Sequence, residues 1–343
     1  MFEQASESAG RNWKLWLALT ALAFALLASL IWVLRMTRMP LKSYAGQLPS
    51  PTSEQLEIAN HLSQHVKYLS ETIGERNLTK AGTLQATADY LQNQLRLEGY
   101  PVREQTYSVQ GHQVRNLEVI IPGTGTTEGA VVVGAHYDSV AGSPGANDNA
   151  SGVAAVLELT HIWRGTALRK PIRLVLFVNE EPPYFKTADM GSLVYARQLQ
   201  SEHVSVSAMI SLETIGYFSD VVGSQKYPPM LSLFYPDRGN FIAFVGDPES
   251  RSLARRSVRK FRETTSFPSE GIAAPADWPG VGWSDHWSFW QQNYPAIMVT
   301  DTALFRYRFY HTPFDTADRV DFEKMARVVE GVQRVVEALA TDP

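Results

Sequence analysis

From residue 130 onward the chain repeats one pattern, a short and almost wholly apolar run followed by a stretch with helical spacing. The runs are Ala130–Ala135, Ile172–Val178, Ala208–Leu212, Phe241–Val245 and Ala296–Thr300. Ser151–Trp163, Gly191–Gln200 and Ser250–Glu263 are the helical stretches between them, and Phe322–Leu339 closes the chain. A strand without polar alternation has both faces covered, and a parallel partner is reached only through a crossover. The pattern therefore predicts an α/β fold on a mostly parallel sheet.

The segments before residue 130 read differently. Thr52 and Gln55 are spaced as a capping box, and Ile58, Ala59, Leu62, Val66 and Leu69 give a helical apolar face up to Gly74. A second helix is predicted over Thr83–Leu97, ending before Gly99. Val102–Val109 and Val114–Ile121 read as a hairpin joined at Gly111.

Ahead of all this lies Leu15–Leu34, which carries no charge and has only Thr20 and Ser29 as polar members. Twenty helical residues span about 30 Å, enough for a bilayer core. Trp13, Trp16 and Trp32 stand near its ends, where indole rings favour the interface. The run is longer than a signal-peptide core and no A-x-A site follows, so it is read as an uncleaved, single-pass anchor. Arg11 and Lys14 precede it; Arg35, Arg38 and Lys42 follow. That count leans towards a cytoplasmic C-terminal side, whereas a short tail before a large domain leans the other way, and the catalytic domain is expected on the non-cytoplasmic side. Ser43–Pro51 reads as a linker. The expected division is 1–42, tail and anchor, and 43–343, one large domain.

The net charge is −4 and the acidic excess lies beyond residue 42, so nucleic acid is not an expected partner. With no cysteine, thiolate nucleophiles, disulfides and Cys-ligated metals are excluded.

The chemistry sits where the runs end. His136 and Asp138 follow the first, Glu180 and Glu181 the second, and Glu213 the third. Asp148 lies in a turn leading into a helix, and His311 in the loop after the last strand. Open α/β sheets assemble their sites at the carboxyl ends of strands. Imidazole and carboxylate without thiolate is the ligand set of hydrolytic zinc. An H-x-D or a Glu pair alone is more often a core pair or a solvated face; charged groups gathered after buried strands are costly unless paired or metal-bound.

Taken in order, H-Y-D, P-G-A-N-D-N-A-S-G, N-E-E-P-P, L-E-T-I-G and Y-H-T-P resemble the dinuclear zinc aminopeptidases of metallopeptidase family 28, which also includes glutamate carboxypeptidase and glutaminyl cyclase relatives. The resemblance runs from about Met39 to the C-terminus and is most specific over residues 131–191. It implies a three-layer α/β/α sandwich on a mixed, mainly parallel sheet, and two zinc ions bridged by Asp148. His136 and Glu213 complete one site by this likeness, and Glu181 and His311 the other. Glu180 matches the general base, and Asp138 the carboxylate that orients His136. Tyr310 matches an aromatic position that can hydrogen-bond the reacting carbonyl; a packed interior tyrosine is the competing reading. A cis peptide between Asp148 and Asn149 is implied as well. The chain departs from many aminopeptidases of the family in having Glu213 where they have Asp, and the single-zinc cyclases leave a one-metal state open.

Chemistry supports the roles independently, since two metals can share a carboxylate and polarise a carbonyl while a separate base moves the proton. Ser284, Asp285 and His286, among Trp283, Trp287 and Trp290, either line the pocket or form a structural pair. His61, His65, His112, His161 and His203 are read as scaffold or surface. The expected function is a membrane-anchored zinc exopeptidase acting on peptides, most simply an aminopeptidase. A glutaminyl-cyclase-like transferase and a non-catalytic binding module are the alternatives.

Overall fold

The computed structural model describes residues 2–125, 129–229 and 231–341. They fall into two units, Met1–Arg38 and Met39–Pro343. The first is helix α1 (Phe2–Thr37). Its Trp16–Thr37 stretch is long and apolar enough to cross a membrane, and Trp16, Phe24, Leu26 and Ile31 on it are exposed. The side chains of Arg11 and Lys14 lie outside the described ones.

The second unit opens with α2 (Ser53–Lys67), whose capping box between Thr52 and Gln55 forms in both directions. A π-helical turn then carries the chain to Gly74. After α3 (Ala81–Leu97) comes the hairpin of β1 (Arg103–Val109) and β2 (His112–Ile121), turning at Gly111 with φ 84°. The alternating part follows as β3 (Ala130–His136), α4 (Gly152–Ile162), β4 (Ile172–Phe177), α5 (Gly191–Ser201) and β5 (Val206–Glu213). Next are β6 (Ile242–Gly246), α6 (Arg251–Thr264), β7 (Ser269–Ala273) and the short α7 (His286–Trp290). The chain ends with β8 (Ala296–Thr300), the short α8 (Ala303–Arg306) and α9 (Phe322–Thr341).

The eight strands form one sheet in the order β1-β2-β4-β3-β5-β8-β6-β7. Its centre, β4-β3-β5-β8, is parallel throughout, while β1, β2 and the β6–β8 pairing are antiparallel. Alternate residues of the central strands face opposite layers. Val131, Val133, Leu174, Ile210 and Val299 join the large core shared with α2, α4, α6 and α9. Val132, Val175, Met209 and Ala296 pack on the other side with Tyr195, Leu199 and Phe289 of α5 and α7. Both faces are thus covered, which is the three-layer sandwich expected from the sequence. The strand that periodicity does not reveal is β7, whose sequence SEGIA has a glutamate and a glycine; parallel pairing with β6 holds it at the sheet edge.

Register sets the site. Gly134 of β3 pairs with Ser211 of β5. Two residues further on each strand, at the carboxyl ends, stand His136 and Glu213 on the same face.

Candidate metal centre

His136 is the last residue of β3, Glu213 the last of β5, and Glu180 and Glu181 follow β4 closely. Asp148 comes from the loop between β3 and α4, and His311 from that between β8 and α9. All converge. His136, Asp148 and Glu213 form one group, and Asp148, Glu181 and His311 another, with one ligand atom per residue lying within 4.8 Å of the others.

The two groups use different oxygens of Asp148. His136 Nε2 lies 3.4 Å from Asp148 Oδ1 and 3.2 Å from Glu213 Oε2. His311 Nε2 lies 3.0 Å from Asp148 Oδ2 and 3.2 Å from Glu181 Oε2. These are the edges of a tetrahedron: ligand atoms held about 2.0–2.1 Å from one zinc stand about 3.3 Å apart. His136 Nε2, Asp148 Oδ2 and His311 Nε2 are also buried without a hydrogen-bond partner. Buried polar atoms are rarely left so, and a cation in each group accounts for all three. The residues fit a metal pair.

Charge gives the same reading. Burial raises the Glu181 and Glu213 carboxyls to about 7, with Asp148 adding repulsion to both. Burial disfavours the His311 cation, yet Asp148 and Glu181 outweigh it and push the imidazole up to about 10. His136 is likewise held well above its usual value against burial, by Glu213, Glu180, Asp138 and Asp148. Against burial, His136 and His311 hold the shared Asp148 carboxyl well below the usual carboxylate range, and an anion kept between two raised imidazoles makes the cluster a trap for positive charge.

Glu180 stands apart from both groups, its Oε2 3.8 Å from His136 Nε2. Burial, followed by Glu213 and Glu181, raises its carboxyl well above the ordinary range, with His136 opposing. Asp138 brackets the pair, accepting the N–H of Glu180 at 3.1 Å and of Glu181 at 3.0 Å. The Asp138 carboxylate also lies 3.5 Å from His136 Nδ1, which has the backbone oxygen of Asp138 nearer, at 3.2 Å. Tyr310 stacks on His311 with ring centroids 3.9 Å apart. Burial and the nearby carboxylates push its phenol well above 10, so it remains a donor.

The loop bearing Asp148 is fixed from several directions. Its peptide bond to Asn149 is cis. Asp315 accepts the N–H groups of Asn147 at 2.9 Å and Asp148 at 3.0 Å. Asn147 donates to Asp301 and accepts from Gly216 N–H. Arg76, fully buried, donates to the carbonyls of Leu69, Gly74, Tyr137, Pro144 and Gly145. Gly152 must lack a side chain, because a Cβ there would sit 2.4 Å from the Leu212 carbonyl oxygen.

Ser284 donates to Glu213 Oε2 at 2.8 Å, steadying the longer glutamate arm. Asp285 and His286 are fully buried. His286 Nε2 donates to the Val281 carbonyl, and burial lowers its imidazole to about 3. Of that triplet, then, Ser284 touches the centre and His286 is scaffold. His61, His65 and His161 pair with Glu158, Tyr90 and Glu98, away from the cluster.

A cavity of about 110 Å³ adjoins the centre at Glu213, Thr214 and Tyr310. It runs beneath the 217–241 excursion, over Ala243, Val245, Ile272 and Met298 of β6, β7 and β8, and its walls are mainly apolar.

The sequence profile described as Peptidase family M28 matches residues 116–336. The protein YfbL of Escherichia coli is 37% identical over 292 residues, 82% of this chain and 88% of its own length. A probable leucine aminopeptidase of Trichophyton verrucosum is 26% identical over 222 residues, 61% of this chain and 53% of its own. Among solved structures, a zinc aminopeptidase from Bacillus subtilis superposes with TM-score 0.66 at 15% identity, over 87% of this chain and 97% of that one. A glutaminyl cyclase from Porphyromonas gingivalis does so with TM-score 0.60 at 20% identity, over 81% and 97%. Fold, site geometry and profile agree that the chain belongs to peptidase family M28 and is an enzyme of the metallopeptidase class.

Proposed function

We propose that this M28 enzyme is a membrane-anchored, two-zinc aminopeptidase that removes apolar N-terminal residues from peptides. The observation that carries the reading is the pair of His–carboxylate groups sharing Asp148 through separate oxygens. His136, Asp148 and Glu213 would hold one ion, and Asp148, Glu181 and His311 the other. When bound, the ions supply Lewis acidity towards water and the scissile carbonyl.

The protein's own groups do the rest. Glu180, near both groups but in neither, takes the proton of the attacking water and delivers it to the leaving amine. Asp138 holds the backbone of both glutamates, and so the separation between base and ligand. Tyr310 keeps its proton and donates to the carbonyl oxygen as charge develops there. The apolar cavity beside Glu213 receives the side chain of the residue being removed, in keeping with the aminopeptidase names among the relatives.

Residues 1–42 act as tail and anchor and 43–343 as the peptidase domain. The exposed apolar surface of α1 needs a lipid environment, and a large domain after a short tail translocates largely regardless of flanking charge, so the catalytic domain belongs on the non-cytoplasmic side. The full chain, purified in detergent with its zinc content measured, tests the reading on a leucyl anilide and a glutaminyl peptide. Release of the anilide with zinc present and lost with chelator supports it; cyclisation of the glutaminyl peptide alone assigns the cyclase chemistry, and neither reaction overturns the catalytic reading.

A further inference from the structure

The loop between β4 and α5 carries the two glutamates at its start and Lys186 five residues later. Lys186 Nζ lies 5.2 Å from the ring centroid of Phe185 and 5.2 Å from that of Trp287. No carboxylate among the described residues stands within 4.0 Å of it. Its backbone is left-handed, with φ 58°, a conformation lysine rarely adopts. The Lys186 N–H donates to Met190 Sδ at 3.3 Å, tying the loop back to the start of α5.

The ammonium is carried on the loop that bears Glu180 and Glu181 and is held against α7. Glu180 acts on it electrostatically, opposing the larger effect of burial. Trp287 belongs to α7, immediately after the Ser284–His286 segment whose serine donates to Glu213. A half-buried ammonium between two aromatic faces has lost part of its water and keeps a net positive charge, since rings attract the cation without neutralising it. An anion is the missing partner. The apolar cavity opens on the Glu213 and Tyr310 side and is lined by neither Lys186 nor its two rings, so the two features serve different parts of a bound peptide.

We propose that Lys186 receives a carboxylate on the leaving side of the scissile bond, making short peptides with a free C-terminus, or peptides with an acidic second residue, the favoured substrates. This rests on the aminopeptidase reading. It makes Lys186 a specificity-determining residue whose ammonium forms a charge-assisted hydrogen bond with substrate and whose stem is held by Phe185 and Trp287.

The test compares Leu-Ala with Leu-Ala amide, and Leu-Asp amide with Leu-Asn amide, on the full-length zinc-loaded enzyme, wild type, Lys186→Met and Lys186→Arg. Methionine keeps an unbranched stem between the rings and removes the charge. The wild type should favour the carboxylate member of at least one pair by about tenfold in kcat/KM, mainly through KM, as a hydrogen bond to a charged group requires. Lys186→Met should bring that ratio to about one, and Lys186→Arg should restore part of it. The first pair reports the C-terminal carboxylate as source, the second an acidic side chain. Equal loss on both members of each pair, the result of a merely structural role or of an altered Glu180, overturns the proposal, as does a wild-type ratio near one. Calorimetric binding of the same pairs with the scissile amide reduced to a methyleneamine is run alongside. If the wild type cleaves no peptide, the aminopeptidase reading fails, and the binding ratio decides the role of Lys186 alone.

Discussion

Adjacent carboxylates at 180 and 181 meet different neighbours, although both backbone N–H groups end on Asp138. Glu181 reaches His311 at 3.2 Å and takes the Val140 N–H on its other oxygen; Glu180 stays 3.8 Å from His136. The same substitution should therefore fail differently at the two positions. Glu180→Gln is expected to keep its zinc and lose at least about 10²-fold in kcat. Glu181→Gln should lose metal from the His311 group, read by metal analysis, because an anionic ligand is removed while the base remains. The opposite pattern exchanges the roles, and full activity in both variants removes the mechanism. Glu213 shows what a single residue's context adds. The sequence places a glutamate at the end of a strand, and the structure shows Ser284 holding its carboxylate.

Among the elements, those bearing the ligands were the legible ones. Apolar runs with charged residues at their ends place His136, Glu180, Glu181 and Glu213 at strand ends without any coordinates, and the register between β3 and β5 then brings two of them level. The supports were not legible. Arg76 lies between two early helices in sequence, yet its guanidinium is buried among five carbonyls of chain segments up to 69 residues away. No local pattern marks such a residue, because its partners are backbone atoms common to every sequence. Asp315 stands four residues after His311, and nothing local marks it as the residue that holds the turn of Asp148. Arg76→Met should leave those carbonyls unpaired and cost about 3 kcal/mol or more, seen as a fall in Tm with zinc present. A change within about 0.5 kcal/mol would show that the loop holds without it. At the sheet edge β7 is hidden in the sequence for a related reason, since its stability comes from pairing with β6 and not from its own periodicity.

At the scale of the whole molecule, the peptidase unit and the apolar helix are separable in purpose. Removal of residues 1–42 should give a domain soluble without detergent, with kcat/KM for the leucyl anilide within about twofold of the full chain, since the apolar helix carries no group suited to the chemistry. Loss of folding on truncation would make the segment structural. The pH dependence follows from the centre. Glu181 and Glu213 are raised by burial to about 7, and burial notwithstanding, Asp148 and Glu181 hold His311 near 10. In each case the folded value exceeds the unfolded one, so without metal the stabilising contribution is present at low pH and is lost as pH rises through the folded values. Zinc replaces those protons, and the gain in Tm from zinc over chelator should grow from pH 5.5 to pH 8. A gain independent of pH would mean that these carboxylates and imidazoles do not bind it.

Asp148 joins the two metal groups, and the zinc content of the purified protein is the plainest test of that bridge. The wild-type chain should hold about two zinc ions and Asp148→Asn fewer than one, with circular dichroism showing that the variant remains folded. A wild-type chain that binds no zinc at saturation, or an Asp148→Asn variant that retains two, would contradict it.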